Sequence, residues 1–183
     1  MRRLIVTENI TVDGVISPIG DWFDPGDQDE ELAAVTRAHG EQSDALVLGR
    51  VTYEEFAGYW PGQIDVDTTG VSAYLNQVAK YVVSSTLERA EWVNTTILRG
   101  PVEQELLALK NQDGADITVT GSATLAPAIL AAGLADVIRL FVFPLVQGHG
   151  ARLFQNGAAA GLEPALVRRF GNGVVLLEYA IRP

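Results

Sequence analysis

The sequence predicts an α/β domain, a parallel sheet with helices on both faces that finishes in antiparallel strands. Three observations predict it. Short β-branched runs alternate with helix-period segments through five strands, a pattern that demands a parallel sheet covered on both sides. Two of those strands run through a glycine straight into a helix, at Gly49 and at Gly121. After residue 136 the grammar changes to strands at 137–144, 166–170 and 174–181, the last two joined at Gly171-Asn172-Gly173, where Asn-Gly signals a hairpin.

The 183 residues suit one domain, residues 1–183, and 48% apolar composition is ample for a single core. Thirteen basic against 23 acidic residues, a formal charge of −10, argue against nucleic acid or an anionic membrane as partner. Any phosphate site must then be a local basic pocket. Absence of cysteine excludes disulfides, thiolate catalysis and zinc–cysteine sites, and two histidines make a protein-built metal site unexpected. The N-terminus lacks the apolar core of a signal peptide, and the apolar stretch 124–146 is interrupted by Asp136, Arg139 and two prolines. A soluble cytoplasmic protein is expected.

In chain order, residues 3–11 form a strand apolar on both faces at its centre, as in the interior of a parallel sheet. A breaker-rich loop, 18–29, carries Trp22 and Phe23 and reads either as a lid or as a loop whose aromatics plug the core edge. Residues 29–39 form a helix with Leu32, Val35 and Ala38 inward and an acidic first turn. The strand 45–48 ends in Gly49-Arg50-Val51-Thr52 and a helix that Trp60-Pro61-Gly62 stops. A helix over 67–77 has Val71, Tyr74, Leu75 and Val78 on one stripe, with Thr68 or Thr69 as cap. The strand 80–84 closes on Ser84, Ser85 and Thr86, hydroxyls that could bind a ligand or only make a turn. The strand 95–98 and a helix from Gly100-Pro101 to before Gly114 follow.

The stretch 117–130, I-T-V-T-G-S-A-T-L-A-P-A-I-L, organises the rest. Its period changes from two to 3.6 across Gly121 to Thr124, and Pro127 falls in the first helical turn, where its missing N–H costs nothing. Uncovered amides and the helix dipole point at one spot, so phosphate is the expected guest, although any α/β protein contains several such turns. Two of them on one sheet edge can grip two ends of one dinucleotide.

G-R-V-T-Y-E-E-F at 49–56, V-V-S-S at 82–85, T-G-S-A-T-L at 120–125 and the tail D-V-I-R-L-F-V-F-P-L-V-Q-G-H-G-A-R-L-F together resemble the dihydrofolate-reductase-like family. More narrowly, the chain resembles the reductase domain of the bifunctional riboflavin-biosynthesis deaminase/reductase and its stand-alone relatives, over its whole length. The resemblance implies a three-layer α/β/α fold around a mostly parallel eight-stranded sheet with an antiparallel C-terminal hairpin, NADPH as cofactor and hydride transfer to a pterin, pyrimidinone or similar small molecule. It places Gly49, Arg50 and Thr52 at the adenine-side phosphates, Arg50 on the 2′-phosphate, Ser84 and Ser85 beside it, and Gly121, Ser122, Ala123 and Thr124 at the pyrophosphate. Ser122 stands where relatives often carry a second glycine. Asp13 to Ser17 would begin a mobile loop over the nicotinamide.

Substrate-side residues match less well. Asp13, Trp22 and Glu30 are the catalytic candidates, with Trp22 as cover and Glu30 or Glu31 as the first-helix carboxylate. A supporting Thr of folate reductases is replaced by Phe143, which puts dihydrofolate in doubt, and His149 reads as a loop contact or a solvent-facing side chain. If Trp22 is a lid, Trp22→Ala lowers turnover more than cofactor affinity; if it is a plug, it lowers the melting temperature alone. A homodimer through the apolar run of residues 137–143 is expected, as in relatives with this tail. The alternative function is a nucleotide- or ligand-binding module without turnover, since serine-hydrolase and P-loop motifs are absent.

Overall fold

The structure is a computed structural model and describes residues 1–24, 29–154 and 160–182. Residues 25–28 of the aromatic loop lie outside that range. The elements in order are β1 (Leu4–Thr11), β2 (Val15–Ser17), α1 (Glu30–Glu41), β3 (Ser43–Gly49), α2 (Arg50–Tyr59), a 3₁₀ turn (Trp60–Gln63), α3 (Val71–Gln77), β4 (Ala79–Val83), β5 (Thr95–Leu98), α4 (Val102–Lys110), β6 (Asp116–Thr120), α5 (Leu125–Ala131), β7 (Val137–Phe143), β8 (Ala151–Arg152), β9 (Leu162–Arg169) and β10 (Val175–Ile181). Eight strands form one sheet in the order β5-β4-β3-β6-β1-β7-β10-β9, parallel up to β7 and antiparallel beyond it. β2 and β8 make a separate antiparallel pair.

Helix placement follows from connection handedness. The connections β1 to β3 and β3 to β4 move one way along the sheet and put α1, α2 and α3 on one face. Those from β5 to β6 and β6 to β7 move back and put α4 and α5 on the other, as right-handed crossovers require. Alternation along the strands sorts the core accordingly: Leu4, Val6, Val47, Val119 and Ile138 pack with Leu106, Leu109 and Ile129, whereas Leu46, Leu48 and Val82 pack with Tyr53, Val71 and Leu75. A third cluster joins Leu32 of α1 to Phe141, Phe170 and Leu176. Among the described residues no helix is long and apolar enough to cross a membrane.

Local chemistry sets the ends. Asp29 caps α1, its carboxylate accepting from the Glu31 and Leu32 amides. α3 starts at Val71, four residues later than the pattern suggested, because the Asp67 carboxylate binds the Thr69 and Ser72 amides and holds residues 67–70 as a turn. In the hairpin, Gly173 takes φ 89 and the Asn172 side chain accepts from the Val174 amide.

Two expectations change. β9 begins at Leu162 rather than at 166; nearly all of it is exposed, and a β-bulge shifts its register on β10 between Glu178 and Tyr179, so no period of two marks it. β7 is an interior strand between β1 and β10, and five of its seven residues are buried. Its apolar run is spent on the core of the protein itself and offers no surface for association.

Candidate active site

The site lies where the sheet splits. β1 pairs with β6 only as far as Thr7 with Thr120, but pairs with β7 up to Thr11 with Phe143. Beyond Thr7, β6 has turned away at Gly121, and β1 has lost its neighbour on that side. A cavity of about 1130 Å³ opens there, lined by the consecutive residues Thr7, Glu8 and Asn9, whose side chains alternate between the faces of the sheet. Ligands of open α/β sheets bind at this kind of position, outside the carboxyl ends of the strands.

One half of the cavity is built from the two glycine turns. Gly49, Arg50, Thr52, Ser84, Ser85, Gly121, Ser122, Ala123 and Thr124 all line it, so every cofactor candidate from the sequence is in one place. The turns interlock. A Cβ on Gly49 would lie 2.5 Å from Ser122 Oγ, and one on Gly121 would lie 2.5 Å from Thr52 Cγ2. Gly121 and Ser122 both take positive φ, 65° and 70°, the second an uncommon conformation for a side-chain-bearing residue. Ser122 Oγ accepts from the Leu125 amide at 3.0 Å and lies 3.3 Å from Thr124 Oγ1, where either hydroxyl can donate to the other. Ser84 is buried, and its Oγ accepts from the Thr86 and Leu87 amides, which shapes the turn while the residue lines the cavity. Arg50, half-exposed at the start of α2, is paired with Glu54 at 2.7 Å.

The other half is polar and buried. Four buried side-chain atoms among the described residues lack a hydrogen-bond partner, Thr7 Oγ1, Glu8 Oε1, His39 Nδ1 and Tyr74 Oη, and all four residues line this cavity. Burial pushes the Glu8 carboxyl up to about 8, against a smaller opposing effect of the Gly121 N–H. Burial, aided by the Arg139 charge, lowers His39 to about 4, and burial raises Tyr74 to about 12. All three are therefore neutral at pH 7. Arg139, also buried, is ion-paired to Glu178 at 2.7 Å.

None of the three catalytic candidates lines the cavity. Asp13 is a strap: its carboxylate accepts from Thr11 Oγ1 at 2.7 Å and from the Gln147 and Gly148 amides at 3.0 and 2.9 Å, which hold it well below the usual carboxylate range. An acid so firmly ionised is no proton donor. Trp22 packs on Phe143, ring centroids 5.1 Å apart, donates its Nε1–H to the Pro18 carbonyl and lines a separate cavity of about 340 Å³. Phe23, edge-on to the same Phe143, borders both cavities. Phe143 at the end of β7 thus anchors both aromatics of the loop. Glu30 is exposed in the first turn of α1, beside the capping Asp29 and next to Glu31, which pairs with Arg168. Its place is that of a charge complementing the helix dipole. His149 is exposed, within 3.5 Å of Gln147 Nε2.

Sequence reasoning missed Glu8, Thr7, His39 and Tyr74. One signal was present: a carboxylate at the centre of a strand apolar on both faces must be paired or neutral, because an isolated buried charge is too costly.

The profile described as the RibD C-terminal domain matches residues 2–176. The chain is similar to the uncharacterized protein YyaP of Bacillus subtilis (strain 168), 29% identical over 184 residues that cover 97% of this chain and 94% of that one. Among solved structures it is similar to a protein from Shewanella sp. PV-4 named for riboflavin biosynthesis, with TM-score 0.75 and 19% identity over 99% of each chain. It is also similar to dihydrofolate reductase from Enterococcus faecalis, whose structure holds NADP(H), with TM-score 0.62 and 17% identity over 99% of this chain and 97% of that one. The fold is of the dihydrofolate-reductase type.

Proposed function

Because the chain belongs to the RibD C-terminal domain family, we propose that it is an NADPH-dependent reductase acting on a small heteroaromatic or carbonyl compound. The observation that carries this reading is the interlock of the Gly49 and Gly121 turns at the mouth of a cavity with two unlike halves. A Cβ at either glycine would collide with a side chain of the other turn, so only glycine lets the two turns approach and bring their backbone amides to one place, where a phosphate would be bound. A cavity of about 1130 Å³ exceeds what one small ligand needs and suits a dinucleotide together with a substrate.

Residues of this chain take distinct parts. Gly49, Thr52 and the stretch 121–124 would hold the pyrophosphate, and Arg50, with Ser85 on the rim, the 2′-phosphate. When bound, NADPH supplies the hydride. Phe23 and the buried walls keep water away from the reacting atoms.

Arg50 gives the first test. A charged hydrogen bond of about 1.5–3 kcal/mol corresponds to about ten- to a hundred-fold preference for NADPH over NADH, and competition from Glu54 puts the expectation at the lower end. Fluorescence titration should show that preference, and Arg50→Ala should abolish it while leaving NADH binding unchanged. Equal affinities in the wild-type protein would count against the assignment.

Association belongs to the same proposal, at a different place from the one first expected. β9 ends the sheet, and Leu162, Leu166 and Val167 on it are 39%, 41% and 66% exposed. An apolar edge strand is a template for pairing. A homodimer through this edge is expected by light scattering at micromolar concentration, and Val167→Lys should shift it toward monomer. A wild-type monomer would remove this part of the proposal.

A further inference from the structure

Resting on the reductase reading, we propose that Glu8 is the proton donor of the reaction, delivering its carboxyl proton to the oxygen or nitrogen of an uncharged carbonyl or imine substrate. Geometry leads to it. Glu8 lies opposite Leu140 in the β1–β7 ladder, one residue past the point where β6 departs, so its side chain stands beside the split through which the cavity reaches β1. It is 3% exposed, it lines the cavity, and its Oε1 has no hydrogen-bond partner, while the Gly121 N–H acts on the carboxyl from the neighbouring turn. A buried carboxyl left without a full set of partners beside a cavity is placed to donate in its acid form.

The charges on the neighbouring elements leave it in that form. On β7, Arg139 points to the opposite face of the sheet and is paired with Glu178. On β6, Asp116 stands at the far end of the strand and is paired with Arg3. α5 carries no charged residue, nor does β2. Burial is the leading cause of the raised pKa, so Glu8 keeps its proton at neutral pH. Thr7, His39 and Tyr74 line the cavity from the other face of the sheet, beside the Arg139–Glu178 ion pair.

The step balances as follows. Hydride supplied by the reduced nicotinamide adds to the carbon of the C=O or C=N bond, and the π pair moves to the heteroatom. That atom takes the proton from the Glu8 carboxyl, the O–H pair remains on the carboxylate, and Glu8 regains a proton from solvent before the next turnover.

The test compares wild-type, Glu8→Gln and Glu8→Asp proteins with a panel of quinones, pyrimidinones and pterins, following NADPH oxidation, NADPH binding by fluorescence and the infrared carbonyl stretch of a protonated carboxyl. Gln keeps the size and neutrality of the acid, so the fold is retained. Glu8→Gln is expected to lower kcat by about a hundred-fold or more with NADPH binding unchanged, and Glu8→Asp to restore part of it. Wild-type kcat should fall as pH rises through about 8, a limb absent from Glu8→Gln. The infrared band should be present at pH 7, vanish over the same range and be missing from Glu8→Gln. Turnover within about three-fold of wild type in Glu8→Gln, or no such band in the wild-type protein, overturns the inference and leaves the reductase reading standing. A band with no turnover on any substrate overturns the reductase reading, and the transfer step with it.

Discussion

Glu8→Gln is expected to be more stable than the wild-type protein above neutral pH, by roughly 4–5 kcal/mol once pH passes about 8. The folded protein holds the Glu8 proton up to about 8, whereas the unfolded chain releases it near 4.5. Folding therefore binds a proton in between, and the stability linked to it is fully present below 4.5 and is lost as pH rises through about 8, at about 1.4 kcal/mol per pH unit. His39 acts in the opposite sense. Its folded value of about 4 lies below the ordinary 6.5, so its contribution is present above 6.5 and is lost as pH falls toward 4. Between 4.5 and 6.5 the two slopes offset each other; between 6.5 and 8 only Glu8 acts, and wild-type stability should decline there. Urea midpoints across this range check it. Parallel curves for wild type and Glu8→Gln would mean that Glu8 is ionised in the folded protein.

Gly121→Ala is expected to cost about 2–5 kcal/mol of stability and most of the NADPH affinity. The φ of 65° costs a side-chain-bearing residue about 1–2 kcal/mol, and the 2.5 Å approach to Thr52 Cγ2 adds an overpacking cost of about 1–3 kcal/mol. Gly133 supplies the internal control. It has the same φ of 65° with nothing within 4 Å of a built Cβ, so Gly133→Ala carries the backbone cost alone. The difference between the two variants in chemical denaturation measures the interlock, and Thr52→Ser in the Gly121→Ala background should recover part of it by removing Cγ2. Equal losses at Gly121 and Gly133, or undiminished cofactor binding by Gly121→Ala, would show that the two turns do not constrain each other.

Much of this architecture was legible because its signals are local. Strand-to-helix changes of period, the acidic first turn of α1 and the Asn172-Gly173 turn act over a few residues, and each is where the pattern put it. β2 and β8 escaped because a pairing of two or three residues has no period, and the first four residues of β9 because an exposed strand need not alternate. The glycine turns could be read because tight backbone needs glycine wherever it occurs. The polar half could not: Glu8 matters because β6 leaves at Gly121, more than a hundred residues along the chain, and His39 and Tyr74 acquire their neutrality from burial under helices that no single window contains. Asp13 and Trp22 were drawn to the site by their loop, whereas Gln147, Gly148 and Phe143 decide where they sit.

The order of the strands also sets an order in time. β1 precedes the other strands of the sheet in the chain, yet both of its ladders are made with β6 and β7, Leu4 with Ile117 and Ile5 with Val137, so its partners come about 110 and 130 residues later. The β3–α2–β4 unit can assemble from neighbouring segments while β1 still waits, an apolar strand with neither edge satisfied. Since β1 is also the wall of the cavity, a nascent chain has no ligand-binding capacity until its last third has been made and threaded into place. Competence arrives in one late event, and a ligand can draw the protein toward the native state only after that event has occurred.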